Sequence, residues 1–144
     1  MIIQETNPEK AKMIIKKSKP PIIVQSTSDA FSRTILEYGK FQILLLPKLQ
    51  GKDKLKRLDS GLNHVMAKIA TKNNISIGID ISEFKKINKK EKSIQLAKIK
   101  QNIKICRKAK CQIKLLNYND EKNAKELLTS LGASSQQTKQ ATTF

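Results

Sequence analysis

The chain has 144 residues, a length that predicts one domain and permits a buried core. Its 29 lysines and arginines outnumber 12 acidic residues, which gives a formal net charge of +17 at pH 7. Such a surface attracts polyanions, and nucleic acid and an anionic membrane are the two candidates. Membrane is disfavoured because no apolar run approaches the roughly 20 residues of a spanning helix, and residues 1–8 lack the pattern of a signal peptide.

Strand-like and helix-like segments alternate along the chain. The pattern predicts strands over 1–5, 22–25, 41–46, 75–81 and 111–116. The helices that follow them are predicted from Asn7 to Pro20, from Ser28 to Gly39, from Ser60 to about Asn73, over about 83–110 with a break near Asn88, from Asn119 to Gly132, and from Ser134 or Ser135 to Phe144. Asn7 and Ser28 are typical N-cap residues, and Pro8 suits the first helical position.

Five strands that are each followed by a helix predict an α/β fold with a parallel sheet and right-handed crossovers. The units are short and nearly uniform, without a glycine-rich phosphate turn, which favours TIM-barrel-like (β/α) repeats. Since a complete eight-unit barrel takes about 250 residues, we expect an incomplete or truncated barrel with exposed sheet edges. Residues 1–144 are predicted to be a single domain, and the polar tail after about residue 133 is predicted to be partly mobile.

The segment after the third strand is rich in cations and precedes a predicted helix start at Ser60. It carries Lys48, Lys52, Lys54, Lys56 and Arg57 against Asp53 and Asp59. In a βα unit such a loop lies at the C-terminal edge of the sheet, where helix N-termini favour an anion. The sequence therefore predicts a phosphate-binding loop, and a solvated surface loop without a ligand is the alternative.

His64 is the only histidine, and Lys68 and Lys72 follow it at four-residue steps. These three residues share one polar helix face, opposite the predicted apolar stripe of Leu62, Val65, Met66, Ile69 and Ala70. A metal role is disfavoured because one histidine without a cysteine or carboxylate cluster cannot form a site. The remaining interpretations are an exposed or capping histidine and a contact with RNA or a protein partner.

The predicted helical region over 85–110 holds eleven lysines and arginines. Lys100, Lys104 and Lys108 recur every four residues beside an apolar stripe of Leu96, Ile99, Ile103 and Cys106. This face is either a solvated surface or a second stripe that binds an RNA backbone without sequence preference. With two tyrosines, four phenylalanines and no tryptophan, we expect recognition of RNA shape and phosphate with little base stacking.

Little in the sequence predicts catalysis. Asp80 ends the fourth strand, where barrel enzymes place functional groups, but no cluster of histidines and acids accompanies it. Cys106 and Cys111 match no metal-ligand spacing and are interpreted as free thiols in a reducing cytoplasm. The Walker-type glycine-rich loop, the dinucleotide motif GxGxxG and the nucleophile elbow are absent.

The segment LDSGLNHVMAKIATKNNISIGIDISEF, residues 58–84, resembles the ribonuclease P protein component 3 family. In that family a Ser-Gly-Leu/Met-Asn-His-Val segment opens a helix, and a Lys-Asn/Arg pair leads into an apolar strand. The corresponding residues here are 60–65, Lys72 with Asn73, and 75–81. The closing segment 126–144 is similar to the family's Leu-Gly turn, Ser/Gln-rich cap and short helix, and the N-terminal half is similar in pattern.

The resemblance implies a TIM-barrel-like fold related to metal-dependent phosphoesterases. It also implies a protein cofactor of the catalytic RNA that removes the 5′ leader of precursor tRNA, paired with another small protein subunit. The histidine-rich metal motifs of the phosphoesterases are absent here, which fits a non-catalytic subunit that binds no cofactor, with magnesium on the RNA. Family members usually have an additional first strand with an acidic residue and a longer C-terminus, so their absence here suggests an open barrel.

The leading interpretation is therefore a cytoplasmic, non-catalytic protein subunit of ribonuclease P. Its partners would be the catalytic RNA, the other protein subunits and precursor tRNA. No binding to a membrane is expected. The predicted RNA-binding residues are Lys52, Lys54, Lys56, Arg57, His64 and Lys68, then a second set of Lys85, Lys86, Lys89 and Lys90, with Ser60, Gly61 and Asn63 as the helix-start motif. The alternatives are a degenerate metal-dependent phosphoesterase and a general basic RNA-binding protein.

Overall fold

The computed structural model describes residues 2–46, 62–82 and 88–142, in which strands and helices alternate. The strands are β1 (Ile2–Ile3), β2 (Ile23–Gln25), β3 (Ile43–Leu45), β4 (Ser76–Asp80) and β5 (Ile113–Leu116). The helices are α1 (Pro8–Lys17), α2 (Asp29–Tyr38), α3 (His64–Lys72), α4 (Lys89–Ala109), α5 (Glu121–Ser130) and α6 (Ser135–Thr142). The predicted alternation of elements is confirmed.

The five strands form one parallel sheet in the order β1-β2-β3-β4-β5. A doubly wound sheet would reverse its strand order partway across, and this sheet does not. Because each right-handed crossover steps in the same direction, the connecting helices lie on one face, as in successive staves of a barrel. The sheet is therefore the open arc of barrel-type repeats that the sequence predicts.

One face of the sheet packs against the helices. Val24, Leu44, Ile77 and Ile113 lie side by side on that face and are fully buried. They belong to a single hydrophobic cluster that also contains helical residues such as Phe31, Met66, Ile103 and Leu128. The helices cover this face of the sheet because each presents its apolar stripe to it.

The opposite face is closed locally by side chains around Gly78. Ile43 and Leu45 are 3% and 5% exposed although they point away from the helix-covered face. A Cβ atom at Gly78 would lie 2.7 Å from Ile43 Cγ2 and 2.8 Å from Leu45 Cδ2. The missing side chain thus leaves room for two apolar side chains of β3, which accounts for the apolar character of the whole strand.

Several helix starts agree with the sequence and two do not. Asn7 and Ser28 cap α1 and α2 as predicted, and Asn88, near which a break was predicted, caps α4. Helix α3, predicted from Ser60, instead begins at His64, because the Asn63 side chain accepts the Met66 N–H at 2.9 Å. Helix α5 is capped by Asp120 rather than by Asn119, since the Asp120 carboxylate accepts two N–H groups of the first turn.

The C-terminal segment forms the predicted short helix, Ser135–Thr142, and this helix packs against the rest of the fold. Ser134 and Gln137 form a reciprocal cap, with Ser134 N–H donating to Gln137 Oε1 and Gln137 N–H donating to Ser134 Oγ. Gln137 Nε2 also donates to the Ile103 carbonyl of α4 at 3.0 Å. Ala141 is fully buried in the core. Polar residues here are buried through hydrogen bonds, which local composition does not reveal.

Candidate RNA-binding surface

The start of α3 presents a polar face, as the sequence predicts. His64, the first helical residue, is exposed, and so are Lys68 and Lys72. Met66, Ala67 and Ala70 are buried on the other side of the helix. His64 therefore lies on the surface together with two cations and outside the hydrophobic core.

Val65 departs from the predicted apolar stripe of this helix. Its side chain is 55% exposed. The buried face of α3 is centred on Met66, Ala67 and Ala70, and this places Val65 beside His64 and Lys68 on the solvent side. The surface at the start of α3 thus includes one exposed aliphatic side chain among the cations.

The predicted phosphate-binding loop lies outside the described residues. This applies to Lys48, Lys52, Lys54, Lys56, Arg57, Ser60 and Gly61, and their positions stay predictions. The flanking residues are described: Leu46 follows β3, and buried Leu62 precedes α3. Because the segment leaves the C-terminal end of a parallel strand and enters a helix N-terminus, both of its ends lie at the C-terminal edge of the sheet.

The second predicted set lies at the start of α4. Asn88 caps this helix by accepting the Glu91 N–H at 2.8 Å, and Lys89 and Lys90 are exposed in its first turn. Lys85 and Lys86 lie outside the described residues. Half of this set is therefore placed, on a helix N-terminus that follows β4.

The two placed sets are well separated from each other. Helices α3 and α4 meet at their C-terminal ends, where Thr71 Oγ1 donates to the Ala109 carbonyl at 3.2 Å. Helix α3 has 9 residues and α4 has 21, and each residue adds 1.5 Å along a helix axis. Measured along the axes from this contact, Lys89 is therefore about 20 Å further away than His64. The buried residues of α4 all lie from Ile99 onward, which agrees with a helix whose first half extends past the sheet.

Cations on these surfaces lack acidic partners within the described part of the chain. The sequence is strongly basic, and ion pairs among described residues join Lys12 to Glu9, Arg33 to Glu37 and Lys125 to Glu121, each within a single helix. None of these three pairs involves a lysine of α3, or Lys89, Lys90, Lys100, Lys104 or Lys108 of α4. Lys68, Lys72, Lys89, Lys90, Lys100, Lys104 and Lys108 are therefore available to phosphate groups.

Asp80 has a local structural role at the end of β4. Its Oδ1 accepts the Ser82 N–H at 2.9 Å and the Ser82 hydroxyl at 2.7 Å, which turns the chain after the strand. Within residues 2–46, 62–82 and 88–142, no three histidine, cysteine or acidic side chains are grouped so that they could hold a metal ion. The geometry around Asp80 thus offers a turn rather than a catalytic constellation.

The two cysteines are free and buried in the core between α4 and β5. Cys111 Sγ also lies 3.6 Å from the Ile75 carbonyl oxygen. A hydrogen bond with Cys111 and burial raise the pKa of the Cys106 thiol, so this thiol stays protonated. Both cysteines are free thiols, as the sequence predicts.

A groove beside α4 includes residues that the sequence reasoning missed. Arg107 lines it together with Lys100 and Lys104, and Leu131 and Gly132 form the opposite side. The four-residue spacing of the lysines predicted a stripe of Lys100, Lys104 and Lys108, which does not include Arg107. The step from Lys104 to Arg107 is also one helical turn, so the signal for Arg107 was present in the spacing.

Comparisons with known proteins identify relatives of this chain, although no protein-family model matches it. Ribonuclease P protein component 3 of Methanosarcina mazei is 33% identical over 107 residues, which cover 72% of this chain and 42% of the relative. The Methanosarcina acetivorans protein of the same name is 32% identical with the same coverage. The Methanococcus maripaludis protein is 25% identical over 100 residues, 69% of this chain and 40% of that protein. The chain thus spans less than half the length of these relatives.

The fold has a counterpart among solved structures. A chain in the cryo-EM structure of archaeal ribonuclease P with mature tRNA has a similar fold, with a TM-score of 0.75. The match covers 97% of this chain and 61% of that chain. At 18% identity this likeness concerns the fold, and it agrees with an incomplete TIM-barrel-like arrangement. Among the described helices, none is long and apolar enough to cross a bilayer. Together with the sequence relatives, these findings place the chain in the ribonuclease P protein component 3 family.

Proposed function

We propose that this chain is a non-catalytic protein subunit of ribonuclease P, which binds and stabilises the RNA that removes the 5′ leader of precursor tRNA. The observation that carries this proposal is the exposed face of His64, Lys68 and Lys72 at the start of α3. This face lies in the segment that carries the family resemblance, residues 58–84. Its cations lack acidic partners in the described part of the chain, so phosphate groups can approach them.

The RNA-facing residues in this proposal are those predicted from the sequence. One set joins Lys52, Lys54, Lys56 and Arg57 to His64 and Lys68, and the second comprises Lys85, Lys86, Lys89 and Lys90. Each cation that contacts a phosphate releases condensed counterions, so binding weakens as salt rises. By offsetting phosphate repulsion, the protein would allow the RNA to fold at a lower magnesium concentration.

The proposed partners are the ribonuclease P RNA, the other protein subunits of the particle, and precursor tRNA as the substrate of the whole complex. In this proposal the protein binds no cofactor of its own, and magnesium is held by phosphates of the RNA. The proposed site of action is the cytoplasm. Free, buried Cys106 and Cys111 are compatible with a reducing compartment.

Reconstitution tests the proposal directly. The catalytic RNA and the remaining protein subunits are assembled with and without this chain, and 5′ cleavage of precursor tRNA is measured at low magnesium. We expect the chain to raise the cleavage rate, and a variant with His64→Ala, Lys68→Ala and Lys72→Ala to raise it less. No stimulation by the wild-type chain would contradict the proposal.

A matched control separates the α3 face from general charge. Lys10, Lys16 and Lys17 are exposed on α1, and a triple change of these residues to Ala removes three lysine charges elsewhere, one more than the two lysines that the α3 variant loses. We expect this control to stimulate cleavage nearly as well as the wild type. Sequencing of the RNA that co-purifies with the chain separates the proposal from a general RNA-binding role, which would recover mainly other RNAs.

A further inference from the structure

A second binding surface lies along the C-terminal half of α4, away from the start of α3. It is a groove of about 500 Å³ between this helix and the turn that follows α5. Lys100, Lys104 and Arg107 line it on the α4 side. We propose that this groove binds the sugar-phosphate backbone of an RNA strand, an inference that rests on the proposed function but assigns a separate site.

The positive charge in this groove is unopposed. Lys100, Lys104 and Arg107 are exposed and form no ion pair or hydrogen bond with described residues. None of the described residues that line the groove is acidic, and Glu121 and Glu126 of α5 lie along a different groove on the outer surface of that helix. Among the described residues, an anion in the groove would therefore meet three cations and no carboxylate.

The spacing of these cations suits a chain of anions. Lys100 and Lys104 are separated by about 6 Å along the helix axis, and Arg107 lies about 4.5 Å further. Like charges one turn apart destabilise a free helix, and the Lys100, Lys104 and Lys108 series repeats this arrangement. A polyanion with regularly spaced charges would remove that repulsion, whereas a single small anion would relieve only part of it.

The other side of the groove allows close approach. Gly132 is exposed, and a Cβ atom at this position would have no neighbour within 4 Å. The end of α5 would repel an anion if its carbonyl groups were free, but they are partly satisfied: the Gly132 N–H donates to Thr129 O and the Ala133 N–H donates to Leu128 O, both at 3.0 Å.

The lining favours an RNA backbone over other occupants. Ala97 and Leu131 supply a small apolar floor against which a ribose can pack, and none of the described residues that line the groove is aromatic. Its volume lies in the range of sites for small ligands, so it holds a short stretch of one strand. A stable protein interface buries well over 1,000 Å² in total and would need a larger apolar surface than this floor provides.

The test compares two charge-matched variants of the full chain for binding to the ribonuclease P RNA. The groove variant carries Lys100→Gln, Lys104→Gln and Arg107→Gln, and the control carries Lys10→Gln, Lys16→Gln and Lys17→Gln on α1. Filter binding is measured between about 0.05 and 0.4 M salt. We expect the groove variant to lose about tenfold or more in affinity at the lowest salt and about 2–3 in the slope of log affinity against log salt.

A variant at constant charge gives an independent test. Ala97 is exposed on α4 and lines the groove, so Ala97→Trp fills the groove while the net charge stays at its original value. We expect a reduced salt slope for this variant as well. Because glutamine keeps a high helix propensity and removes the repulsion along α4, the groove variant should melt no lower than the wild type, which verifies that it is folded.

The outcomes are distinguishable. If the wild-type chain has no salt-dependent affinity for the RNA, the proposed function itself fails. If the wild type binds while the groove and α1 variants lose affinity equally, the groove proposal alone is overturned. Unchanged RNA binding together with a loss of the other protein subunits from the reconstituted particle would also overturn it, and would identify the groove as a docking site for an acidic protein segment.

Discussion

Replacing Gly78 with Ala tests the packing of the sheet face that the helices leave uncovered. The added Cβ atom would stand 2.7 Å from Ile43 Cγ2 and 2.8 Å from Leu45 Cδ2, well inside van der Waals contact. Leu45 can rotate the end of its side chain, but Ile43 Cγ2 is attached directly to a branched Cβ atom and moves only with the backbone or a new rotamer. We therefore expect an overpacking effect rather than the usual gain from removing a glycine.

The magnitude follows from two opposing terms. Forcing one extra carbon into a packed region costs about 1–3 kcal/mol, whereas replacing glycine by alanine in a strand returns about 0.5–1 kcal/mol of backbone entropy. The net loss is about 1–2 kcal/mol, which lowers the melting temperature by about 3–8 °C for a chain of this size. Urea denaturation followed by circular dichroism measures the loss, and Ser76→Ala on the same strand face is a control that adds no atoms.

A double-mutant cycle identifies the contact responsible. Ile43→Ala removes the atom nearest to the new Cβ, so Gly78→Ala should cost clearly less in that background than in the wild type. If Gly78→Ala stabilises the chain, or if its effect is the same in both backgrounds, Ile43 does not pack across Gly78 and this account of the β3 sequence is wrong.

Three further predictions concern local structure. Asn63→Ala should lower the free energy of unfolding by about 1 kcal/mol, because α3 loses its N-cap. Ser60→Ala should have a smaller effect in the same denaturation assay. If Ser60→Ala had the larger effect, a helix start at His64 would be contradicted. Gln137→Ala should cost about 1–3 kcal/mol because it removes the reciprocal cap and the hydrogen bond from Gln137 Nε2 to the Ile103 carbonyl, and an unchanged midpoint would mean that α6 is not docked. Cys106 and Cys111, 0% and 4% exposed, should react with a thiol reagent only as fast as the protein opens, so rapid reaction in native buffer would refute their burial.

The local sequence was sufficient for the order and type of the elements. The alternation of isoleucines over 75–81 predicted β4, and Asn7 with Pro8 predicted the start of α1. It could not decide between two suitable caps: Ser60 and Asn63 are both favourable N-cap residues, and only the backbone geometry selects Asn63. The same ambiguity separates Asn119 from Asp120 at the start of α5.

Tertiary contacts account for the larger differences. Gln137 and Thr138 are polar and were expected in a mobile tail, yet a hydrogen bond to α4 and a cap at Ser134 bury them. Val65 occupies an apolar position by spacing, but the short helix α3 fills its packing face with Ala67 and Ala70. The separation of His64 from Lys89 likewise depends on where α3 and α4 contact each other, which a one-dimensional pattern does not contain.

The length of α4 has a consequence for the kind of RNA that the chain could select. Lys89 and Lys100 lie on one continuous helix, about 16 Å apart along its axis, so the distance between the two proposed contact regions is fixed. A flexible strand that contacts one region must lose conformational entropy to reach the other, whereas a folded RNA with phosphates at the matching distance has already lost it. Discrimination between folded and unfolded RNA would then arise from the rigidity of α4, without any contact to a base.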